Sequence, residues 1–556
     1  MSTTKAQPFL RPRKSRVQWF GSLFPWMWLV IAYCVTIATI GLYGRPYIDS
    51  DMASDIILAD LLNNEGSLLS SNWWYSTELR VVYLQTFYRL ALLIFPNNWY
   101  AAQVLGQAVW MLLLIVAYVY VGHGLNLKSL GAWGAAALMC PFGTWYLMYG
   151  PLGGAYLPHM ILVLISFGAL LHLLKAKKFK DLNWIVHGIL LVCSSIASGL
   201  NSVKGVMGYF LPMVLATCTI LALQIHLTPT QYPRKAAKLF VLSLVSLILS
   251  GIAYAINSCF LSKMYDFSDY NDTAWNTLDI NKLISEWSDF LSLFGYPVDS
   301  AYGGGCNLFS IEGILSAFGL LIAAAIVISE IRLLQHWKRL DLPQRVVPVL
   351  LLMVLLIQGI VFAFAAETSN AYYWLTIVPL VFPVLQLEGE SETFNFKYSR
   401  VLLAAGFFVC FVCTSISTEI RFFNGGGYRA NPHLEEICTW LVDNNYTQGY
   451  ASFWNGNVIT EWSNGNIEMW ITEDFHTMAP YNWLQNKAHT SPPDGTVFLL
   501  TTDRELETMG LTALLKRSDI TYKDLEAQSP AGLYYVLKYD SYQDMLGTVQ
   551  EVISEQ

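Results

Sequence analysis

The chain alternates long apolar runs with polar stretches, and the runs have the length of membrane-crossing helices. A hydrocarbon core about 30 Å thick takes roughly 20 residues of α-helix. Eleven runs fit: 24–43, 99–121, 130–149, 154–174, 184–200, 205–225, 239–260, 308–329, 346–366, 371–387 and 400–416. The third, fifth, tenth and eleventh are short or marked by Gly and Pro. Pro141, Pro158, Pro212, Pro379 and Pro383 fall inside runs, where neighbouring helices can satisfy the freed backbone groups. The pattern predicts a polytopic α-helical membrane protein with about 11 transmembrane helices over 24–416, after a basic tail at 1–23. Three polar stretches are long enough for structure of their own: 44–98, 261–307 and 417–556.

The last of these reads as a small α/β domain. Residues 432–445 have helical spacing, with apolar residues at 434, 437, 440 and 441. Strand-like runs follow at 449–454, 466–471, 495–501 and 532–539. Gly425, Gly426 and Gly427 predict a hinge before it. The stretch 454–466, polar and aromatic together, reads as a helix start and a tight turn in preference to a carbohydrate-contacting surface.

Charge orients the bundle. With the N-terminus in the cytoplasm, the predicted cytoplasmic segments carry 19 Lys and Arg, against 6 in the outer loops. The positive-inside rule then puts the two long loops and the C-terminal domain on the extracytoplasmic side, in a multi-pass protein of the cell membrane. The first run has no small-residue cleavage site and reads as a retained signal anchor.

Composition agrees. Hydrophobic residues make up 54% of the chain and charged residues 13%, against roughly a quarter charged in soluble domains. That excludes an ordinary cytosolic enzyme and a disordered chain. A net charge of −7 with no long basic face excludes a nucleic-acid binder. The 19 Trp and 31 Tyr suit aromatic belts. The nine cysteines show no zinc spacing or disulfide framework. Cys306 and Cys438 both fall outside the runs, where a bridge would be free to form. Cys410 and Cys413 lie inside a run and read as packing. Asn271 and Asn445 are in glycosylation sequons. Asp266, Asp269, Asp272, Asp279, Glu286, Asp289 and Asp299 are spread too widely for a calcium loop.

The candidate chemistry sits just after the first run. Asp49 or Ser50 can cap a helix over 51–62. On it Met52, Ile56 and Ala59 share one face and Asp51, Ser54 and Asp55 another, the pattern of an amphipathic helix lying on the membrane surface. Trp73, Trp74 and Tyr75 read as an interfacial anchor, and 78–95 as a second helix with Glu78 and Arg80 at its outer end. A cap or a dipole-favoured first turn explains any one of these Asp residues. Three within seven residues, where the chain leaves the membrane, point further.

The run DSDMASDIILADLLNNEGSLLSSNWWYSTELR at 49–80, opening with D-x-D after one span and followed by a polytopic bundle and an outer domain, resembles the C-type (GT-C) glycosyltransferases. Protein mannosyltransferases, oligosaccharyltransferases and lipid A aminoarabinose transferases belong to that superfamily. The resemblance implies a membrane enzyme that takes a sugar from a polyprenyl-phosphate donor, usually with inversion, and passes it to a cell-envelope acceptor. It implies that Asp49 or Asp51 serves the acceptor hydroxyl as general base or helps hold a divalent metal. Asp55, Glu78, Arg80, His159, Lys204 and Glu367 are the candidate substrate-binding residues. No nucleotide cofactor is expected, and the chain has no P-loop, G-x-S-x-G or HExxH motif.

Elementary chemistry asks for the same groups. An oxocarbenium-like transition state needs a base for the acceptor and a cation or helix N-terminus for the leaving phosphate. Lys204, Arg80 and Arg89 compete for the phosphate. Lys204 can instead snorkel, and either arginine can instead neutralise Glu78 or lipid headgroups. His159 and Glu367, at outer ends of spans, are each either satisfied boundary groups or part of the site. A transporter or flippase of lipid-linked sugars and a non-catalytic envelope scaffold are the alternatives. The transporter predicts inverted repeats and charges near mid-bilayer, and the sequence shows neither.

Overall fold

The computed structural model describes residues 16–176, 181–227, 233–267, 274–296, 307–364, 371–390, 399–424, 432–525 and 532–555. Among them, ten helices are long and apolar enough to cross a membrane, matching the predicted runs except 130–149. That stretch is two short helices, Ala132–Met139 and Thr144–Leu147, followed by a wide turn at Met148–Leu152. The break falls where Pro141 cannot continue the helix. The Thr36 hydroxyl of the first span, Arg16–Tyr43, donates to the Met139 carbonyl freed there, at 2.7 Å. The two ends of the broken segment lie at opposite ends of the bundle. The Lys128 N–H meets the Glu390 carboxylate at 2.9 and 3.0 Å, and Leu152 abuts Gly44. The last span runs to Phe423, beyond the predicted 416.

The bundle packs closely where small residues permit. A Cβ at Gly199 would lie 2.1 Å from the Ser250 carbonyl oxygen, so the helices Leu182–Asn201 and Pro233–Cys259 cross backbone to backbone.

The C-terminal domain is a five-stranded sheet with strand order β3-β2-β5-β7-β6. Here β1 is Trp73–Trp74, β2 Gln448–Ala451, β3 Glu468–Ile471, β4 Gln485–Asn486, β5 Val497–Thr502, β6 Asp519–Lys523 and β7 Tyr534–Tyr539. The sheet is parallel from β3 through β2 to β5 and antiparallel from β5 through β7 to β6. Alternation along β5 divides the core. Val497 and Leu499 face a domain core with Leu537 and Val549, while Phe498 and Leu500 join the core that is continuous with the bundle.

This domain is docked, not tethered. Its helix Phe453–Trp462 packs on the loop helix Ser50–Glu65. β4 pairs antiparallel with β1, Trp73 opposite Asn486 and Trp74 opposite Gln485. Arg45 donates to the Trp462 carbonyl at 3.0 Å and pairs with Glu435 at 3.0 Å. The Asn464 side chain accepts from the Trp99 N–H at 2.8 Å and so caps the next span. The glycines of the expected hinge, Gly425–Gly427, lie outside the described residues, as do Cys306 and Asn271. Cys438 is buried with its thiol toward the Ile459 carbonyl.

Three readings of the first loop change. The helix Ser50–Glu65 is not a surface helix: Ser50, Met52, Ala53, Ser54, Ile56, Leu58, Ala59 and Leu62 are all buried between the bundle and the C-terminal domain. Trp73 and Tyr75 are not an interfacial anchor. They are buried, in and beside the interdomain pair of β1 with β4, and the Tyr75 hydroxyl accepts from the Ser70 N–H at 3.0 Å. The second helix is only Gln85–Leu92. Residues 79–82 are held outside it by distant amides. Asn201 bonds both backbone groups of Val82, at 2.8 and 2.7 Å, and Asn257 donates to the Leu79 carbonyl at 2.7 Å.

Candidate active site

Asp49 is the N-cap of the loop helix and accepts the Met52 N–H at 2.9 Å. One turn along that helix, Asp51 and Asp55 project together. Asp51 is open to solvent, yet many protein atoms lie around it. Burial among protein atoms raises its pKa, while the charge of Arg80 and a hydrogen bond from the Trp483 side chain pull it back. Asp55 is raised to about 7, first by burial and then by Asp51 and Asp49, with Arg80 opposing.

Arg80 stands opposite, on the segment fixed by Asn201 and Asn257. Its guanidinium donates to the Tyr83 hydroxyl at 2.9 Å and lies 4.7 Å from that ring. Burial works against its charge, but Tyr83, Glu78, Asp55 and Asp51 more than offset that and raise its pKa. Its buried Nε has no hydrogen-bond partner. Glu78 accepts from the Ser202 hydroxyl at 2.8 Å, and its other oxygen is buried without a partner.

Behind Arg80 come His159 and Lys204. The His159 ring lies 6.4 Å from Tyr83 and 6.2 Å from Tyr156, within electrostatic reach of Lys204 and Arg80. Its Nδ1 is buried without a hydrogen-bond partner. The Lys204 ammonium lies 5.6 Å from the Tyr156 ring and 5.9 Å from Tyr373. Tyr372 packs on Tyr149 at 4.4 Å and Tyr373 at 4.7 Å. Asp51 and Asp55 therefore act on Arg80 from the loop helix, while Glu78 shares the Arg80 segment and Tyr83, Tyr156 and Tyr373 pack against the cations.

Seven of the eight sequence candidates thus gather at one end of the bundle. The eighth, Glu367, lies outside the described residues. Arg89, a competitor for the phosphate, instead closes the end of the loop helix: it donates to the Asn63 side chain at 3.0 Å and the Leu62 carbonyl at 3.2 Å. The donors fit a metal poorly. Asp49 is occupied as a cap, Asp51 and Asp55 face a guanidinium, and among the described residues no group of three or more His, Cys, Asp or Glu could hold an ion.

The folded site also contains residues the sequence did not suggest. Tyr83, Tyr156, Trp483 and Glu461 carry no motif. Glu461, on the docked helix Phe453–Trp462, is 1% exposed, and neither carboxyl oxygen has a hydrogen-bond partner. Burial raises its pKa to about 8, with Arg45 opposing and Asp49 and Asp55 adding. The folded protein therefore holds this proton more tightly than the unfolded chain. The contribution to stability is complete below pH 4.5 and is lost as pH rises towards about 8. Thermal unfolding should show the wild type losing stability relative to Glu461→Gln across that window. A constant difference across it would contradict the assignment.

No protein-family model matches the sequence, and no curated relative matches it. Solved structures do. The chain superposes on ArnT from Cupriavidus metallidurans bound to undecaprenyl phosphate with a TM-score of 0.53 at 10% identity, over 92% of this chain and 97% of that one. Apo ArnT gives 0.54 at 8% identity, over 94% and 98%. ArnT is an aminoarabinose transferase of the GT-C superfamily. The chain has the GT-C fold. An oligosaccharyltransferase from Archaeoglobus fulgidus in the apo form gives 0.47 at 14% identity, over 95% of this chain and 75% of that one. Within the GT-C fold of this chain, the acid and cation cluster lies between the bundle and the C-terminal domain.

Proposed function

We propose that the protein is an inverting glycosyltransferase that moves a sugar from a polyprenyl-phosphate donor to a cell-envelope acceptor outside the cytoplasm. The observation that carries this reading is Asp51: a solvent-exposed carboxylate within the field of the half-buried Arg80, in a fold shared with a protein solved with undecaprenyl phosphate bound. In the reaction the acceptor O–H gives its proton to Asp51. The acceptor oxygen bonds to the anomeric carbon, and the bond from that carbon to the phosphate oxygen breaks with its electron pair. Polyprenyl phosphate leaves, and Arg80, with Lys204 behind it, meets its charge. Attack opposite the leaving group inverts the centre. A base with a raised pKa suits proton transfer near neutral pH. Asp49 fixes the start of the helix that presents Asp51.

Purified protein in proteoliposomes should form a glycosidic product from an undecaprenyl-phosphate-linked sugar. Translocation of that lipid with no product would make the chain a transporter instead. The proposed orientation has its own check. Leu68 is 82% exposed in the first loop, so Leu68→Cys should react with a membrane-impermeant maleimide on intact cells. Labelling only after lysis would put the loop in the cytoplasm.

A further inference from the structure

The polar stretch 261–307 reads from its sequence as a loop outside the membrane, yet its helix Ile280–Ser292 does not stay at the rim of the bundle. The approach to it does: the Asn276 N–H donates to the carbonyl of Phe364, the last residue of the helix Leu342–Phe364, at 2.7 Å. The far end lies inside. The Phe294 ring stacks on Phe142 at 5.9 Å, and Phe142 follows Pro141 at the break in the segment that runs between the two ends of the bundle. A Cβ at Gly319 would lie 2.6 Å from the Phe294 carbonyl oxygen. Gly319 is eight residues into the span Ile311–Gln335, about 12 Å along its axis. That span begins at the end of the bundle that carries the first loop. Its Glu312 pairs with Arg421 of the last span, where Phe422 stacks on Tyr47 at 4.1 Å. The helix Ile280–Ser292 therefore descends from the rim towards the middle of the bundle. Its lower end keeps its own carbonyls satisfied, as surroundings without water require. The Phe294 N–H donates to Leu291 and the Gly295 N–H to Ser292, both at 3.1 Å.

The helix has three faces. Glu286, Phe290 and Leu293 are buried against protein: Phe290 lies 5.5 Å from the Trp374 ring, and the Trp374 indole N–H donates to Glu286 at 3.3 Å. Asn281 and Ser285 form an exposed polar face. The third face is apolar and open. Ile280, Ile284 and Trp287, at helical spacing, are 66, 60 and 47% exposed. The spans on either side of this stretch expose apolar residues at the same end, Phe260 just past Pro233–Cys259 and Ile311 and Ile314 at the start of Ile311–Gln335. A helix with one polar and one apolar open face fits the boundary between headgroups and acyl chains.

We propose that Ile280–Ser292 is a re-entrant helix: it enters the leaflet on the side of the candidate site and docks its stripe of Ile280, Ile284 and Trp287 on phospholipid acyl chains. The proposal rests on the spans and is independent of the reaction.

The unmodified protein contains its own control. Trp454, on the C-terminal domain, is 51% exposed, close to the value for Trp287. Full-length protein is placed, one copy per disc, in nanodiscs of phosphatidylcholine with a diazirine in the acyl chain. Two readouts follow. Under hydroxyl radicals Trp287 should be oxidised about tenfold more slowly than Trp454, because lipid covers it. On illumination, diazirine cross-links should map to Ile280, Ile284 or Trp287 and not to Trp454. Oxidation of Trp287 as fast as Trp454 would put the stripe in water and overturn the proposal. Protection of Trp287 without any cross-link in 280–287 would mean that protein covers the stripe, and would overturn it as well.

Discussion

Asp51→Asn is expected to lower sugar transfer by about 10²–10⁴-fold, the usual contribution of a positioned general base. Asparagine is nearly isosteric, so the loop helix should keep its place, while the ability to take the acceptor's proton is lost. Binding of undecaprenyl phosphate should survive, and even strengthen, because one of the carboxylates facing Arg80 loses its charge. Asp49→Asn should behave differently. Asparagine caps a helix about as well as aspartate, so a variant changed only at Asp49 should keep most of its activity. Transfer rates over a series of donor-lipid concentrations separate the two cases. Equal losses at both positions would mean that Asp49 does more than cap the helix.

The second large effect is at Arg80. Replacing it with Met keeps much of the side-chain volume but removes the charge opposite Asp51, Asp55 and Glu78. Truncating one partner of a buried charged cluster typically costs about 2–5 kcal/mol. The affinity for undecaprenyl phosphate should therefore fall by at least about thirtyfold. Without Arg80 the pKa of Asp55 should rise further above about 7, because Arg80 is what opposes its burial. Arg80→Lys should recover part of the affinity, because it restores the charge but not the planar fork. Calorimetric titration with undecaprenyl phosphate measures both. An unchanged affinity in Arg80→Met would move the phosphate elsewhere, with Lys204 and His159 the next candidates.

What the sequence revealed follows the range of the interactions involved. The spans were legible because each is a local apolar run. The one that is not a single helix, 130–149, is broken at Pro141, and the carbonyl this frees is satisfied by Thr36 from another span. The Asp49 cap and the shared face of Asp51 and Asp55 were legible from helical spacing alone. The placement of that helix was not. Its small buried residues, Ser50, Ala53, Ser54 and Ala59, allow close packing on two sides, and the partner on one side lies at the far end of the chain. Trp73 and Trp74 fit an aromatic belt until β4 is known to pair with them. Residues 78–84 have helical composition, but Asn201 and Asn257 capture the backbone at Val82 and Leu79. Trp483 and Glu461 gave no local signal, since only the docked domain brings them to the acidic cluster.

The central claim is that the cleft between Asp51 and Arg80 receives the phosphate end of a prenyl lipid. A cryo-electron microscopy structure of the full-length protein in nanodiscs with undecaprenyl phosphate tests it most directly. The phosphate should lie within hydrogen-bond reach of Arg80, about 3 Å, with Asp51 facing the same space. Phosphate density elsewhere in the bundle, with Asp51 sealed from the lipid, would contradict the account.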